Sequence, residues 1–309
     1  FGVLSIWPGY ITFVIALMLG LIGNIVFSTA MQAYLGERTP YRRRGLVMAL
    51  TELGWSASFF LGMPLVGFLI TRASWKAPFS SLAVVGLLLF FITLLLLPKS
   101  PPQAASQNNA WSNLRQVFTN PIALGGLTLG FSISGANELV NLIFGVWIED
   151  SFEVKIAMLA GASMVIGLGE LLGEILSGGL ADRLGKARAV RIGLILNCMG
   201  ALALPWLGRS LNGALAGLFL FYITFEFTVV CAVPMLTEVL PAARATLMAS
   251  YIASAAIGRA VGDLLSPILY RQTLGPLGGM HLIGLAVVAL NLAGMVALSF
   301  LRRVEPAAE

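Results

Sequence analysis

Residues 178–188 read Gly-Gly-Leu-Ala-Asp-Arg-Leu-Gly-Lys-Ala-Arg. This short charged stretch stands between two long apolar runs, residues 156–181 and 189–208, and each run is long enough to cross a bilayer as a helix. Asp182 and Arg183 carry charges that are costly in hydrocarbon, whereas Gly185 suits a turn. The stretch is therefore predicted to be a loop that joins two membrane-spanning helices at the membrane surface.

The composition of the whole chain also indicates a membrane protein. Among its 309 residues, 58% are hydrophobic and only 11% are charged, and the mean hydropathy is +0.90. An ordinary globular chain has roughly 25% charged residues. This composition cannot supply a water-soluble surface, so it excludes a soluble protein, a disordered chain, a secreted disulfide scaffold and a nucleic-acid binder.

Apolar segments of membrane-spanning length recur along the chain. They cover about residues 9–34, 45–70, 78–97, 121–148, 156–181, 189–208, 213–239, 246–270 and 281–301. Prolines stand between the runs, and Asn120 before Pro121 is typical of a helix N-cap followed by a first-turn proline. We therefore expect an all-α polytopic membrane protein with nine transmembrane helices.

The distribution of basic residues predicts the orientation. If the connections alternate between two sides, most of the 19 Lys and Arg residues fall on one of them, which is then cytoplasmic. The opposite side receives Arg72, Lys76, Lys155, Arg209 and Arg271. A multi-pass protein of the cytoplasmic (inner) membrane is expected, with its C-terminus in the cytoplasm and Phe1 outside. The cluster at residues 42–44 is interpreted as a loop anchor, and a phosphate-binding patch is the alternative.

The charged stretch resembles the Gly-x-Leu-Ala-Asp-Arg-x-Gly-Arg-Lys loop of the major facilitator superfamily. Its matching residues are Gly178, Leu180, Asp182, Arg183 and Gly185, while Lys186 keeps the charge of the next position and a further basic residue is shifted to Arg188. In that family the motif lies between the second and third helices and, more loosely, between the eighth and ninth. The resemblance implies that the span before the stretch is helix eight of twelve.

Two further stretches agree with this register. Residues 40–45 resemble the family's Pro-x-x-x-Arg-Gly at the start of helix five, and residues 75–79 resemble its Trp-Arg-x-Pro-Phe at the start of helix six. A short match between residues 40–49 and 241–249 suggests two parallel halves. The resemblance thus covers essentially the whole chain as helices four to twelve of an N-terminally truncated member, and it implies a helical bundle of two pseudo-symmetric halves.

The chain is expected to divide into three parts. Residues 1–98 form a partial N-terminal transmembrane half, and residues 121–309 form a C-terminal transmembrane half. Residues 99–120 form a cytoplasmic linker, whose second part places Trp111 and nearby apolar side chains at helical spacing. This second part is predicted to be a short helix lying on the membrane surface.

Ionisable and amide side chains inside the spans are the candidate residues of a substrate and proton pathway, because a buried charge is a functional candidate by default. By the family's register these candidates lie on helices that line the central cavity. Asn197 and Asn291 lie on helices that do not line it. The candidates are Asn24, Glu52, Asn137, Glu138, Asn141, Glu170, Glu174, Glu226, Arg259 and Asp263.

Two hypotheses give these residues roles. Arg259 is interpreted as the fixed cation of the C-terminal half, pairing with Glu226 or Glu170 when no substrate is bound, and a purely structural ion pair is the alternative. Glu170 and Glu174 lie four residues apart on one helix face, where two carboxylates cannot easily both ionise. This pair is interpreted as a proton carrier; the alternatives are a separate cation for each carboxylate, or access of Glu174 to cytoplasmic water.

The resemblance also implies a cytoplasmic gating network at Gly178, Asp182, Arg183, Gly185 and Arg188, with an ordinary turn as the alternative. Gly-x-x-x-Gly pairs at Gly169 with Gly173 and at Gly258 with Gly262 predict helices in close contact. Rocking of the two halves against each other is an additional hypothesis.

Neither a cofactor nor a metal site is predicted, and no catalytic residue is proposed. Cys198 and Cys231 both lie within apolar runs, and His281 is the only histidine. We found no nucleophile or ligand set for a membrane-embedded enzyme.

The sequence therefore predicts a secondary active transporter of a small organic solute, working by alternating access. A monomeric, proton-coupled efflux antiporter in the cell membrane is favoured, with the solute, protons and lipid as partners. Two alternatives stay open, a proton-coupled uptake symporter and a receptor or scaffold that keeps the fold without transport.

Overall fold

The computed structural model describes residues 1–40, 62–97, 110–153 and 156–301, together with isolated positions between residues 43 and 58. These residues are almost entirely helical. The helices are α1 (Gly2–Ile6), α2 (Tyr10–Arg38), α3 (Met63–Arg72), α4 (Ala77–Leu96), α5 (Ala110–Thr119), α6 (Pro121–Asn141), α7 (Phe144–Phe152), α8 (Ile156–Leu184), α9 (Lys186–Leu207), α10 (Leu211–Leu236), α11 (Arg244–Tyr270) and α12 (Gly279–Leu301).

The described part of the chain contains eight stretches that are helical, long and apolar enough to cross a membrane. They are α2, α4, α6 together with α7, α8, α9, α10, α11 together with a preceding turn, and α12. The prediction of an all-α polytopic membrane protein is confirmed. Part of the predicted span at residues 45–70, including Glu52, lies outside the described residues.

The connection after α8 is shorter than the sequence predicts. The helix continues to Leu184 and α9 begins at Lys186, so Gly185 alone joins them, with a φ of 81°. Only glycine adopts that conformation at little cost. The prediction of a loop over residues 178–188 was therefore too long. A helix need not end where hydrocarbon ends, because charged residues of its last turn are solvated beyond the bilayer.

A short helix and a capped start of α6 are found where the sequence predicts them. The cytoplasmic linker at residues 99–120 stays a prediction, and residues 98–109 lie outside the described residues. The side chain of Asn120 accepts hydrogen bonds from the backbone N–H groups of Ile122 (2.8 Å) and Ala123 (3.2 Å). It therefore caps the helix as the sequence indicates. The short helix predicted in the linker is α5, which buries Val117 and leaves Trp111 exposed.

Two hydrogen bonds fix the register between α6 and α11. The hydroxyl of Ser254 donates to the carbonyl oxygen of Leu127 (2.8 Å), and the hydroxyl of Ser266 donates to the carbonyl oxygen of Leu139 (2.6 Å). Both pairs have the same separation along the chain, 127 residues. The two helices consequently run parallel and stay in contact for at least three turns.

Glycines occupy the turns between those serines. A Cβ atom on Gly258 would overlap the carbonyl oxygen of Phe131, and one on Gly262 would lie 2.7 Å from the carbonyl oxygen of Gly135. The four contacts follow one row of small residues along α11 at a spacing of four. The close approach predicted for Gly258 and Gly262 is confirmed.

A second glycine pair brings α8 against α10. A Cβ atom on Gly169 would lie 3.0 Å from the carbonyl oxygen of Phe219, and one on Gly173 would lie 2.6 Å from that of Ile223. The constant separation of these pairs shows that α8 and α10 also run parallel. Close approach at Gly169 and Gly173 is confirmed as well.

The two asparagines outside the predicted pattern form a buried polar link. The amide of Asn291 on α12 donates to the side-chain oxygen of Asn197 on α9 (2.8 Å). Asn197 donates in turn to the carbonyl oxygen of Phe221 on α10 (3.0 Å). The two amides satisfy each other's hydrogen-bonding groups and link α9, α10 and α12. This explains why two polar side chains lie among apolar neighbours.

The N-terminal helices pack mainly through aromatic contacts and one helix end. The ring of Phe79 on α4 lies near those of Phe1, Phe13 and Trp75. Along α2, most side chains are exposed, and burial is concentrated near its C-terminal end, at Gln32 to Gly36. That end contacts α11, so it joins the N-terminal helices to the C-terminal ones.

Candidate functional site

A hydrogen-bonded chain links a carboxylate on α6 to a tyrosine on α10. The side-chain amide of Asn141 donates to Glu138 Oε1 (2.7 Å), and the hydroxyl of Tyr222 donates to Asn141 Oδ1 (3.0 Å). Tyr222 is only 1% exposed, and Glu138 and Asn141 are half-buried. The bridge is therefore a polar path through an otherwise apolar helix contact.

Charged groups stand at both ends of this bridge. Glu170 on α8 lies within electrostatic range of Tyr222, as does Glu138. Arg259 and Asp263 on α11 lie within electrostatic range of Glu138. The site thus draws ionisable side chains from all four of the helices α6, α8, α10 and α11.

Two contacts fix how α6 faces α10. The side chain of Leu236 packs on Gly126, and Tyr222 bonds to Asn141. From Tyr222 to Leu236 along α10, the contacted residue on α6 moves back from Asn141 to Gly126. The two helices are therefore antiparallel. One turn from the bridge, Asn137 on α6 and Glu226 on α10 therefore stand at about the same level. The Cβ atom of Glu226 lies 2.9 Å from the position that a Cβ atom on Gly173 of α8 would take.

Asn137 is the buried amide of this level. It is 9% exposed, and its Oδ1 atom has no hydrogen-bond partner among the described residues. Glu226 is half-buried.

The sequence predicted a different partner for Arg259. Among the described residues it makes no ion pair with Glu170 or Glu226, and its side chain is exposed. Its electrostatic neighbour is Glu138 instead. Pairing of Arg259 with Glu226 or Glu170 stays a prediction.

The remaining predicted pathway residues have different surroundings. Glu174 is only 1% exposed, one turn from the half-buried Glu170. Asn24 is exposed on α2, and Glu52 lies outside the described residues. Among the predicted residues, the structure thus brings together Glu138, Asn141, Glu170, Arg259 and Asp263 around the bridge.

The predicted gating residues surround the turn at Gly185. Asp182 Oδ1 at the end of α8 lies 2.9 Å from Lys186 Nζ at the start of α9, and Lys186 is buried. Arg183 and Arg188 are exposed, and Gly178 is half-buried. This ion pair braces the turn between the two helices.

A second charged cluster, which the sequence analysis did not select, joins the end of α2 to the start of α11. Arg244 Nε donates to the carbonyl oxygen of Thr237 (2.6 Å), and its Nη2 atom lies 3.4 Å from Glu238 Oε1. Its Nη1 atom lies 3.9 Å from Glu37 Oε1 on α2. Arg244 lies in residues 241–249, which resemble residues 40–49. This repeat was the sequence feature that could have identified the cluster.

A groove of about 400 Å³ lies elsewhere, between α5, α6 and α11. Its wall includes Phe118, Leu127, Ser250 and Ser254. The lining is apolar or hydroxylated, and none of the predicted pathway residues belongs to it.

Comparison with known protein families agrees with the helical arrangement. A family model described as Major Facilitator Superfamily matches residues 1–262, which is most of the chain. The chain belongs to the major facilitator superfamily. In this superfamily protein, the Gly178–Arg188 stretch and the spans around it are the features that first carried the resemblance.

Three relatives in Bacillus subtilis (strain 168) are similar in sequence to this superfamily member. The uncharacterised MFS-type transporter YceJ is 27% identical over 229 residues, covering 73% of this chain and 58% of YceJ. The uncharacterised MFS-type transporter YwfA is 23% identical over 268 residues, covering 85% of this chain and 64% of YwfA. YbcL, of the same description, is 22% identical, and the match covers 69% of this chain and 54% of YbcL. The chain therefore spans less than two thirds of the length of these curated relatives.

A solved structure shares the fold of this superfamily protein. The crystal structure of the human organic anion transporter MFSD10 (TETRAN) superposes with a TM-score of 0.68 and 21% identity. The superposition covers 96% of this chain and 72% of that protein. The likeness shows that the helices have a major facilitator arrangement.

Proposed function

We propose that this superfamily protein is a secondary active transporter that moves a small organic solute by alternating access. Proton-coupled efflux, as an antiporter, is the form we favour. The observation that supports it is the set of ionisable side chains around the Tyr222–Asn141 bridge. Each such group costs about 2.5 to 3.5 kcal/mol on insertion into a bilayer, so its retention calls for a function.

In the proposed cycle, protons bind to the carboxylates around the bridge. Glu170 is half-buried, and Glu138 already accepts a hydrogen bond from Asn141. Adding a proton to either acid removes one buried negative charge and alters the bonds that the bridge can make. Glu174 extends the acidic region by one turn of α8.

The rest of the proposal concerns placement. The excess of Lys and Arg on one side favours a protein of the cytoplasmic membrane with a cytoplasmic C-terminus. We propose a monomer whose partners are the solute, protons and lipid. Catalysis of a chemical reaction is not part of the proposal.

The test uses the full-length protein reconstituted in liposomes, with ethidium as an organic cation, p-aminohippurate as an organic anion and glucose as a neutral solute. An imposed pH gradient is expected to drive at least one probe against its concentration gradient. Glu170→Gln should lower the gradient-driven flux by about tenfold or more, because the amide cannot carry the proton.

Glu149→Gln is the matched control for that experiment, since Glu149 lies exposed on α7. Its flux should equal that of the wild type. An acidic exterior that expels a loaded probe supports antiport, whereas uptake under the same gradient supports symport. Flux that ignores both the pH gradient and Glu170→Gln would contradict proton coupling, and no flux of any probe would contradict the transport function.

We also propose that Arg244 helps to close the predicted cytoplasmic side. The guanidinium holds the connection between α10 and α11, and it reaches Glu37 on α2. A Cβ atom on Gly36 would lie 3.1 Å from Thr237 Cγ2, so the same helix ends also pack closely. Separating the two halves would break both contacts.

Arg244→Gln is expected to open that side. A single cysteine introduced as Gln32→Cys, which is buried where α2 meets α11, should react about tenfold faster with a membrane-impermeant maleimide applied to the cytoplasmic side. Cys198 and Cys231 are replaced by alanine in every sample. Arg209 follows the C-terminal end of α9, on the predicted outer side, so Arg209→Gln should leave the maleimide reaction rate unchanged. An unchanged rate in Arg244→Gln would refute the proposed role of Arg244 in closing the cytoplasmic side.

A further inference from the structure

We propose that an anionic phospholipid of the predicted cytoplasmic leaflet binds this protein, with one acyl chain in the groove between α5, α6 and α11 and its phosphate on Arg115. The inference goes beyond the proposed transport function and does not depend on it. It follows from the chemistry of the groove walls, from the length and direction of the groove and from the charge at the end that α5 forms.

The walls of the groove suit a hydrocarbon chain. None of the described residues that line it is ionisable. The hydroxyl of Ser250 donates to the carbonyl oxygen of Thr246 (2.8 Å), and the hydroxyl of Ser254 donates to that of Leu127 (2.8 Å). A hydroxyl has a single proton to donate, so neither serine can donate to a ligand. A solute that needs hydrogen-bond donors would lose them on entry, whereas hydrocarbon needs none.

The groove has the depth of one bilayer leaflet. Along α11 it extends from Thr246, near the start of the helix, to Ile257. At 1.5 Å per residue this is a rise of about 16 Å. The hydrocarbon core of a bilayer is about 30 Å thick, so one leaflet contributes about 15 Å. An acyl chain that enters at the α5 end therefore reaches the middle of the bilayer within the groove.

The groove also faces away from the ionisable side chains of the candidate site. Ile257 lies two residues before Arg259 on α11, and Ser250 lies nine before it. With 3.6 residues per turn, both spacings correspond to opposite sides of the helix. Arg259 is on the side of Glu138, which lies within its electrostatic range. Ile257 is 59% exposed, and Ala253, one turn earlier, is also exposed. This face is therefore the one suited to contact lipid.

The α5 end of the groove carries a positive charge. Leu114 and Phe118 line the groove, and Arg115 between them is exposed and is the only charged residue of α5. Trp111, one turn before Arg115, is 76% exposed, as suits a tryptophan at a membrane interface. Anionic lipids give the cytoplasmic leaflet its negative surface potential, and a guanidinium binds phosphate through paired hydrogen bonds. The charge at this end therefore selects an anionic headgroup.

The test counts phosphatidylglycerol molecules bound to the full-length protein in detergent by native mass spectrometry, with phosphatidylcholine as the zwitterionic probe. The wild type should bind phosphatidylglycerol at least about fivefold more tightly than phosphatidylcholine. Ala253→Trp fills the groove with a large ring and should remove one phosphatidylglycerol at saturation. Arg115→Gln leaves the groove open, so it should raise the Kd of phosphatidylglycerol about fivefold and leave that of phosphatidylcholine unchanged.

Two variants are matched controls. Ala293→Trp adds the same ring at an exposed position on α12, and Arg209→Gln removes one exposed arginine at the end of α9. Both should bind phosphatidylglycerol as the wild type does. Only variants that elute as a single peak in gel filtration are compared. Ala249→Trp, one turn before Ala253 in the same groove, is the second groove-filling variant, and Arg115→Gln decides if neither tryptophan variant folds.

Three results would overturn the inference. Unchanged phosphatidylglycerol binding in Ala253→Trp and Ala249→Trp would show that the groove is not the site. Equal Kd values of the two lipids in the wild type, or an unchanged Kd in Arg115→Gln, would exclude selection of an anionic headgroup. A wild type that elutes as a dimer and becomes monomeric in Ala253→Trp would assign the groove to a second copy of this chain. Each readout is lipid binding or oligomeric state, so failure here leaves the proposed transport function untouched.

Discussion

Replacement of Gly258 by valine is expected to prevent assembly of the C-terminal helices. At this position α11 meets the backbone of α6, and even a Cβ atom would overlap the carbonyl oxygen of Phe131. Overpacking usually costs about 1 to 3 kcal/mol when side chains can shift. Here the obstacle is backbone, so we expect a cost at the upper end or above, seen as loss of the single gel-filtration peak or a much lower thermal unfolding midpoint.

Gly86→Val is the control for that substitution. Gly86 lies on α4, and a Cβ atom there would have no atom of the described chain within 4 Å. Its elution and midpoint should match those of the wild type. Ser266→Ala gives an intermediate case, because it removes one hydrogen bond from the same row at a cost of about 1 kcal/mol. A Gly258→Val protein as stable as the wild type would show that the α6–α11 contact is looser than described.

Local features of this fold could be predicted from the sequence. Hydropathy gives the spans because each one must satisfy its own backbone groups within the bilayer. The N-cap at Asn120 depends only on neighbouring residues, and it was predicted correctly. The close contacts of Gly169, Gly173, Gly258 and Gly262 were also predicted, because small residues at that spacing remove the side chains that keep helices apart.

Long-range partners could not be predicted in the same way. The spacing of Gly258 and Gly262 does not identify α6 as the helix that they contact. It also does not predict that the contacting residues of α6 and α11 are 127 positions apart in the chain. Asn197 and Asn291 had no explanation until three helices were brought together. Pairings of this kind depend on the packing of the whole bundle, which a single sequence does not reveal.

The candidate site illustrates the same limit. Each ionisable residue could be found individually, because charge is rare inside spans. Their grouping was predicted from the family's register, which assigns each residue to a helix and gives no direction around the helix axis. The pairing of Arg259 with Glu226 or Glu170 stays a prediction, and the electrostatic neighbour that the described structure gives Arg259 is Glu138. Tyr222 was missed because a tyrosine in an apolar run carries no signal until its hydroxyl is seen to bond.

Tyr222→Phe is expected to uncouple proton movement from solute movement. The hydroxyl of Tyr222 bonds to Asn141, which orients Glu138, and Glu170 lies within electrostatic range on the other side. Without the hydroxyl, the oxygen of Asn141 loses its donor at a cost of about 1 to 3 kcal/mol, and the path between the two acids is broken. In liposomes we expect flux driven by a pH gradient to fall by about tenfold to a hundredfold.

Exchange of labelled for unlabelled solute without a pH gradient distinguishes this role from a structural one, because exchange needs no net proton transfer. We expect it to stay within about twofold of the wild type in Tyr222→Phe, since a hydrogen bond that serves coupling alone leaves solute affinity intact. Tyr270→Phe is the matched control. It removes a hydroxyl that bonds to Asp150 Oδ2 at 3.0 Å in an exposed position at the end of α11, and both fluxes should persist. Equal losses of gradient-driven flux and exchange in Tyr222→Phe would mean that the bridge supports only the packing of α6 against α10.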